Sequence, residues 1–291
     1  MMAVRSAVVG LSPEPQTRVI TTRQLLAYAA GIGATASCYL DDAEPGGLAA
    51  HPAFGVSLEW PAALALRQHP QLQLPPEEAL RAVHADQDTI LHRPIRPGDR
   101  LQTRATLIQV RRSRPGALTV TRFRTVDVAT GAAVVTSYAS TIYRGVAVEG
   151  PDVQLEAPPP LPESLSAVPL SQQILIPVAR EAPHIYTECA QIWNPIHTER
   201  RVALAVGLPD IILHGTLTWA LAASHLIAAC AGGVPTRLQR LSGRFAAMVI
   251  PGSSMTLHYG TLPESPHLVH YTVHNAEGAL AIARGLAVLT L

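Results

Sequence analysis

One segment of this 291-residue chain, from Thr216 to Ala231, would be apolar on most of its surface if it formed a helix. Ser224 and His225 are its polar interruptions in the middle, and a glycine pair follows at 232–233. A helix without a polar face has to be buried on most sides. Because the run is short and interrupted, burial inside a protein suits it better than a membrane span. The segment therefore predicts a buried central helix that other elements must surround.

Proline clustering divides the chain into two halves of similar size. The segment 149–169 contains six prolines and few apolar anchors, which is typical of an extended linker. We therefore predict a first half at 1–148, a linker at 149–169 and a second half at 170–291.

The two halves repeat one order of elements. Each opens with a helical pattern, continues with a Pro-Gly turn before a strand, and ends with a hairpin signal before a long strand. These features fall at 25–29, 97–98 and 132–143 in the first half, and at 185–190, 251–252 and 279–291 in the second. Short connections indicate antiparallel strands. An antiparallel sheet wrapped on a buried helix, made twice, predicts an α+β double hot-dog fold in one chain.

Composition limits the classes of partner. The net charge is +1, and 48% of residues are hydrophobic against 15% charged, so the chain can form a sizeable core and has no basic excess for nucleic acid or an anionic membrane. The three cysteines, Cys38, Cys189 and Cys230, are scattered, odd in number and without metal spacing. The apolar run near the N-terminus is too short for a signal peptide. We expect a cytoplasmic protein without a metal site.

The most specific motif lies in the second half. Residues 192–197 read Ile-Trp-Asn-Pro-Ile-His, and seventeen residues after His197 come His214 and Gly215. This pair of signals resembles the signature of MaoC-like (R)-specific enoyl-CoA hydratases, Asp-x-Asn-Pro-Leu/Ile-His followed by a Leu/Val-His-Gly turn. Where that family has its catalytic Asp, this chain has Ile192.

The first half carries weaker likenesses. Residues 26–34, 51–55 and 84–87 resemble parts of the hydratase domain of the peroxisomal multifunctional enzyme type 2. The resemblance covers nearly the whole chain and implies a double hot-dog. It also implies that the first half holds the substrate and has lost the active site of its own.

The resemblance implies a hydro-lyase that acts on acyl thioesters. Water would add to a 2-enoyl thioester or leave a 3-hydroxyacyl thioester, and the direction stays open. The partner would be an acyl-CoA or acyl-carrier-protein substrate. No cofactor is expected beyond the coenzyme A or phosphopantetheine that belongs to the substrate, and a homodimer is possible.

Three residues match functional positions of the family. His197 matches the catalytic His, and an imidazole can exchange protons near neutral pH. Gly215 matches the residue whose N–H donates to the thioester oxygen in that family. An N–H at a helix start suits this role, because it has no partner in the helix and lies at the positive end of the dipole. Asn194 is expected to orient neighbouring groups by hydrogen bonding, and His214 to be structural.

Ile192 leaves the reaction without its carboxylate. Glu188 lies four residues earlier and would share the helix face of Ile192, so we predict that it replaces the Asp within reach of His197. An exposed helix carboxylate is the other interpretation of Glu188. The substitution also keeps a second function open: a non-hydratase descendant that binds acyl thioesters, or an altered lyase, isomerase or cyclase that uses His197.

Overall fold

The structure is a computed structural model that describes residues 3–72, 74–79, 81–262 and 264–290. The first half contains β1 (Val4–Arg5), β2 (Gln16–Val19), α1 (Thr22–Gly31), α2 (Ser37–Leu40), α3 (Gly55–Arg67), α4 (Pro76–Ala79), β3 (Ala82–Leu91), β4 (Arg100–Ser113), β5 (Gly116–Asp127), β6 (Ala133–Arg144), β7 (Val148–Glu149) and β8 (Val153–Gln154). The second half contains β9 (Gln172–Pro177), α5 (Ala182–Ala190), α6 (Arg200–Ala205), α7 (Gly215–Cys230), β10 (Leu238–Phe245), β11 (Ser254–Leu262), β12 (Ser265–Asn275) and β13 (Leu280–Leu289).

The main sheet is one antiparallel surface with two equal halves. Its strands follow the order β2-β4-β5-β6-β3-β10-β13-β12-β11-β9, and β8 pairs with β4 at one side. The first five strands of this path come from residues 16–144 and the last five from residues 172–289. The halves join where β3 pairs with β10, from Asp86 opposite Arg244 to Ile90 opposite Arg240. The antiparallel pairing that the sequence predicted is confirmed in this sheet.

Two central helices lie against this sheet. The predicted central helix is confirmed as α7, whose side chains from Leu217 to Ile227 are mostly buried against β10 and β13. Its counterpart α3 packs against β4 and β5, and Val56, Leu58 and Ala62 are buried there. Each half thus wraps a sheet around one helix, which is the double hot-dog arrangement. Within the described residues, no helix combines the length and the hydropathy that a bilayer span requires.

The proline-rich segment runs along the outer face of the sheet and is held there by arginines. Arg112 pairs with Asp152 at 2.9 Å, and Arg122 pairs with Glu156. The two arginines therefore bind carboxylates of the proline-rich segment and attach it to β4 and β5.

A more buried ion pair joins the halves beneath the same segment. Arg240 on β10 donates to Asp88 on β3 through Nε at 2.9 Å and Nη2 at 2.7 Å, and the two side chains are 14% and 12% exposed. Arg240 also donates to the Pro159 and Pro160 carbonyls. This two-pronged contact adds a side-chain link to the backbone pairing of β3 with β10.

Candidate active site

A cavity of about 930 Å³ lies between the two halves. The second half lines it with Ile192, Asn194, Ile196 and His197 and with residues 212–216 and 244–250, and the first half with residues of α3 and of strands β3 to β6. This volume falls in the range of small-molecule sites, and such sites combine an apolar lining with few polar groups. No cluster of side chains suited to a metal ion occurs among the described residues.

His197 reaches the cavity from a short 3-10 turn, Pro195–His197. Asn194 caps this turn, because its side-chain oxygen accepts from the Ile196 N–H at 3.5 Å. His197 Nδ1 lies 2.8 Å from the Ile212 carbonyl oxygen. A carbonyl can only accept, so Nδ1 carries the proton and Nε2 presents a lone pair. Burial lowers the pKa of His197 to about 4, against the opposing effect of the Ile212 carbonyl. The imidazole is therefore neutral at neutral pH, with Nε2 as the basic atom.

His214 braces this imidazole from the side. The two rings stack with centroids 3.7 Å apart and planes 25° from parallel. His214 Nε2 is 3.1 Å from the Thr187 hydroxyl on α5, which fixes the ring in the plane of the stack. Burial, and then the neighbouring His197, hold the pKa of His214 well below its ordinary value. The His214 ring, which is held by Thr187, therefore fixes the orientation of the His197 ring. Because His214 stacks face to face with His197, its nitrogens do not hydrogen-bond to those of His197.

Gly215 opens α7 directly after His214. The first N–H groups of a helix lack partners inside it and lie at its positive end. A methyl group on Gly215 would lie 3.2 Å from the Phe245 ring, so the missing side chain allows Phe245 to pack over the helix start. The next residue, Thr216, accepts a hydrogen bond from the Tyr186 hydroxyl at 3.1 Å. Gly215, Thr216 and Phe245 all line the cavity.

Glu188 lies outside the site. It is exposed, accepts a hydrogen bond from Trp193 Nε1 at 3.4 Å, and is absent from the cavity lining. Its predicted position beside His197 is therefore wrong. The helix α5 ends at Ala190, and Gln191 takes a left-handed backbone with φ 57°, so residues 188 and 192 no longer share a helix face.

The other predicted residues do come together. Asn194, His197 and Gly215 line one cavity, and so does Ile192, which is 6% exposed. At position 192 the cavity is thus lined by a side chain that cannot carry a proton. The side-chain oxygen of Asn194 is engaged in the hydrogen bond from the Ile196 N–H. This bond stabilises the turn that carries His197.

Sequence reasoning missed a buried carboxylate on the opposite wall. Glu59, on α3, is 6% exposed and lines the cavity. Its Oε2 accepts from Gln87 Nε2 at 3.0 Å. Burial raises its pKa, and hydrogen bonding by Ser137 and Gln87 opposes the change only in part. The signal was present, since Glu59 is the one acidic residue between Gly55 and Arg67 in an otherwise apolar helix.

Buried tyrosine rings lie beside the start of α7. The Glu59 charge adds to the burial that raises the pKa of Tyr28 and that of Tyr186, the latter to about 12. The rings of Tyr28 and Tyr186 meet edge to face at 5.9 Å, and those of Tyr186 and His214 at 5.0 Å. Glu59 on α3 and the residues at the start of α7 therefore line one cavity from the two halves.

Comparison with known proteins gives two family matches. Residues 167–259 match the MaoC like domain, and residues 7–137 match the FAS1-like dehydratase domain region. The chain is 26% identical over 274 residues to 3-hydroxyacyl-thioester dehydratase Y of Mycobacterium tuberculosis, covering 88% of this chain and 87% of that protein.

Solved structures share the fold over nearly the full chain. A MaoC-like dehydratase from Phytophthora capsici superposes with a TM-score of 0.79 at 20% identity, covering 98% of this chain and 96% of that one. The peroxisomal multifunctional enzyme type 2 of Drosophila melanogaster gives 0.76 at 20% identity, covering 96% of this chain and 48% of that one. The second half thus contains a MaoC like domain, the first half matches a dehydratase domain region, and the chain is similar over most of its length to MaoC-like hydratases and dehydratases.

Proposed function

We propose that this protein interconverts 2-enoyl and 3-hydroxyacyl thioesters by adding and removing water, on coenzyme A or on a carrier-protein phosphopantetheine. The observation that carries the proposal is the neutral His197, whose free Nε2 shares a cavity with the Gly215 helix start. The name of the mycobacterial relative, a 3-hydroxyacyl-thioester dehydratase, supports the same class of substrate.

Gly215 supplies the electrophilic assistance in this proposal. A thioester oxygen that accepts from its N–H gains stabilisation as enolate charge develops on that oxygen. The positive end of the α7 dipole acts in the same direction. Phe245 packs over the helix start and lines the cavity, which limits the access of bulk water to the developing charge.

His197 supplies the base for hydration. Its Nε2 takes a proton from a water molecule as the water oxygen bonds to C3 of the enoyl thioester. The Ile212 carbonyl holds the ring in the required tautomer, and His214 holds its orientation. The acyl chain then extends along the apolar lining of the first half, which includes Leu66, Leu107, Phe123 and Ala139.

Ile192 supports a second candidate, in which the fold binds acyl thioesters without hydrating them. Without a carboxylate at position 192, a site of the usual family design cannot transfer both protons. The two candidates differ in a single observable, which is the gain of one water by an enoyl thioester.

The deciding experiment incubates the purified chain with 2-enoyl-CoA thioesters of increasing chain length and with the matching pantetheine thioesters. We expect a product heavier by one water, and the reverse loss of water from the 3-hydroxyacyl thioester. Saturable binding of the same thioesters without any change in mass would contradict hydration and favour the binding protein.

A further inference from the structure

We propose that Glu59 supplies the carboxyl group that Ile192 does not, by donating the proton to C2 of the enoyl thioester from the first-half wall of the cavity. This role rests on the proposed hydration. It would make the active site a shared one, with its base in the second half and its acid on the central helix of the first.

The position of Glu59 is the first support. It lies on α3 inside the cavity that holds His197 and Gly215. Thr216, the residue after Gly215, lines the same cavity from the second half. A substrate that fills this cavity can therefore contact Glu59 from one half and the start of α7 from the other.

The surroundings of the carboxyl group are the second support. Oε2 accepts from Gln87, whereas Oε1 is buried without a well-formed hydrogen bond among the described residues. The Ser137 hydroxyl is another polar group that acts on this carboxyl group. That hydroxyl is already engaged with Thr89 at 3.0 Å. A buried polar atom that lacks a full partner is costly unless something else satisfies it. A proton on Oε1, directed at a substrate, would do so.

The division of roles is the third support. His197 acts as base in the tautomer that the Ile212 carbonyl enforces, so hydration still needs an acid. Among the described residues, the carboxylic side chains that line the cavity are Glu59 and Glu277, and Glu277 is exposed in the turn between β12 and β13. Glu59 is thus the buried carboxyl available to protonate C2.

The proton balance closes without another reactant. The water oxygen bonds to C3 and its proton goes to His197 Nε2, while the C2–H bond forms with the proton from Glu59. The product carries one added water, and the enzyme is left with an imidazolium and a carboxylate. Transfer of the proton from His197 to Glu59, directly or through a water, restores the starting state. Dehydration follows the reverse path.

The two groups should define the pH profile. Hydration requires neutral His197, whose pKa burial lowers to about 4, and protonated Glu59, whose pKa burial raises. The rate should therefore fall at low pH through His197 and at higher pH through Glu59. The groups that face Glu59 are Gln87 and Ser137, which do not titrate, and tyrosines Tyr28 and Tyr186, whose pKa values burial raises.

The test measures kcat and KM for hydration by wild type, Glu59→Gln, Glu188→Gln, and Glu59→Gln combined with Ile192→Asp. We expect Glu59→Gln to lower kcat by about a hundredfold or more with a small change in KM, and to remove the alkaline fall of the pH profile. Glu188→Gln, the same change at an exposed site, should match wild type. Ile192→Asp in the Glu59→Gln chain should recover activity by returning the carboxyl group of the family.

Each possible outcome supports or contradicts the role of Glu59. Wild-type kcat in folded Glu59→Gln, or a loss confined to KM, would overturn the role of Glu59 and leave the proposed function intact. A wild-type chain that hydrates no thioester would contradict the proposed function and this role together. If Glu59→Gln does not fold, Glu59→Asp keeps the carboxyl group but withdraws it by one methylene. Folded Glu59→Asp should then lose kcat and keep KM, and full activity would contradict proton transfer.

Discussion

The two central helices begin in the same way and present opposite surroundings. Both α3 and α7 open on a glycine, Gly55 and Gly215. At Gly215, the preceding His214 stacks on His197, and the helix start faces the cavity. At Gly55, a 3-10 turn runs into the helix and the Gly55 N–H is already bound to the Ala53 carbonyl.

The position four residues further along makes the contrast sharper. A methyl group on Gly55 would lie 3.6 Å from Glu59 Oε1, so this carboxyl group lies beside the start of its own helix, in the wall of the cavity. The corresponding residue of α7 is the fully buried Trp219. One helix start thus offers free donors to a ligand, whereas the other is occupied by the protein. In this repeated fold, one helix start can thus form the substrate site, while the equivalent helix of the other half lines the same cavity.

The largest effect should come from removing the base at the second helix start. His197→Ala should lower kcat by about two to four orders of magnitude, because the general base is lost while the cavity remains. The matched control is His92→Ala, since His92 is an exposed histidine outside the cavity lining and should not affect turnover. Steady-state kinetics on the enoyl thioester compare the three proteins. Equal losses in both variants would show that His197 has no special role.

A smaller effect should follow from adding one methyl group at each helix start. Gly215→Ala should lower kcat by roughly ten- to a hundredfold, because its methyl group presses on the Phe245 ring at 3.2 Å and shifts the thioester from its donor. Gly55→Ala meets Val135 at an ordinary 3.5 Å and should cost much less activity. Kinetics and thermal melting of both variants separate activity from folding. A larger activity loss in Gly55→Ala would reverse the comparison.

The residues near the second helix start could be predicted because they are contiguous in sequence. The run 194–197 and the pair 214–215 each form one local turn, so a short motif carries their geometry. The apolar run after Gly215 likewise identified the buried helix, since burial on all sides leaves a direct imprint on composition.

The carboxylate could not be placed by the same reasoning. Glu188 was assigned by helical spacing, but a single left-handed residue, Gln191, ends the helix and breaks that spacing. Glu59 reaches the site through the pairing of β3 with β10 and of α3 with the sheet, which are contacts between residues far apart in sequence. Only the folded chain shows which wall of the cavity it joins.

The link between the halves should affect stability and not turnover. Asp88→Asn breaks the buried pair with Arg240 and should lower the free energy of unfolding by about 3–5 kcal/mol. Asp152→Asn breaks the exposed pair with Arg112 and should cost less than about 1 kcal/mol. Denaturant unfolding measures both, and the folded fraction of each should keep its kcat. Similar costs for the two variants would mean that burial of the pair adds nothing.

A last effect, seen only on acidification, concerns stability. The pKa of His197 is lowered to about 4 in the folded chain, below its unfolded value, so the unfolded chain binds more protons between about pH 6.5 and 4. The stability from keeping His197 neutral is complete above that window and is lost as the pH falls through it. Folded His197→Ala should therefore lose less stability on acidification, by up to about 1.4 kcal/mol per pH unit. An unchanged slope would contradict a buried, neutral His197.

The most direct measurement is the crystal structure of His197→Ala with a bound 2-enoyl-CoA. The account predicts the thioester oxygen about 3 Å from the Gly215 nitrogen, C3 facing the space left by the imidazole, and Glu59 beside C2. A thioester at the Gly55 helix start, or outside the shared cavity, would contradict it.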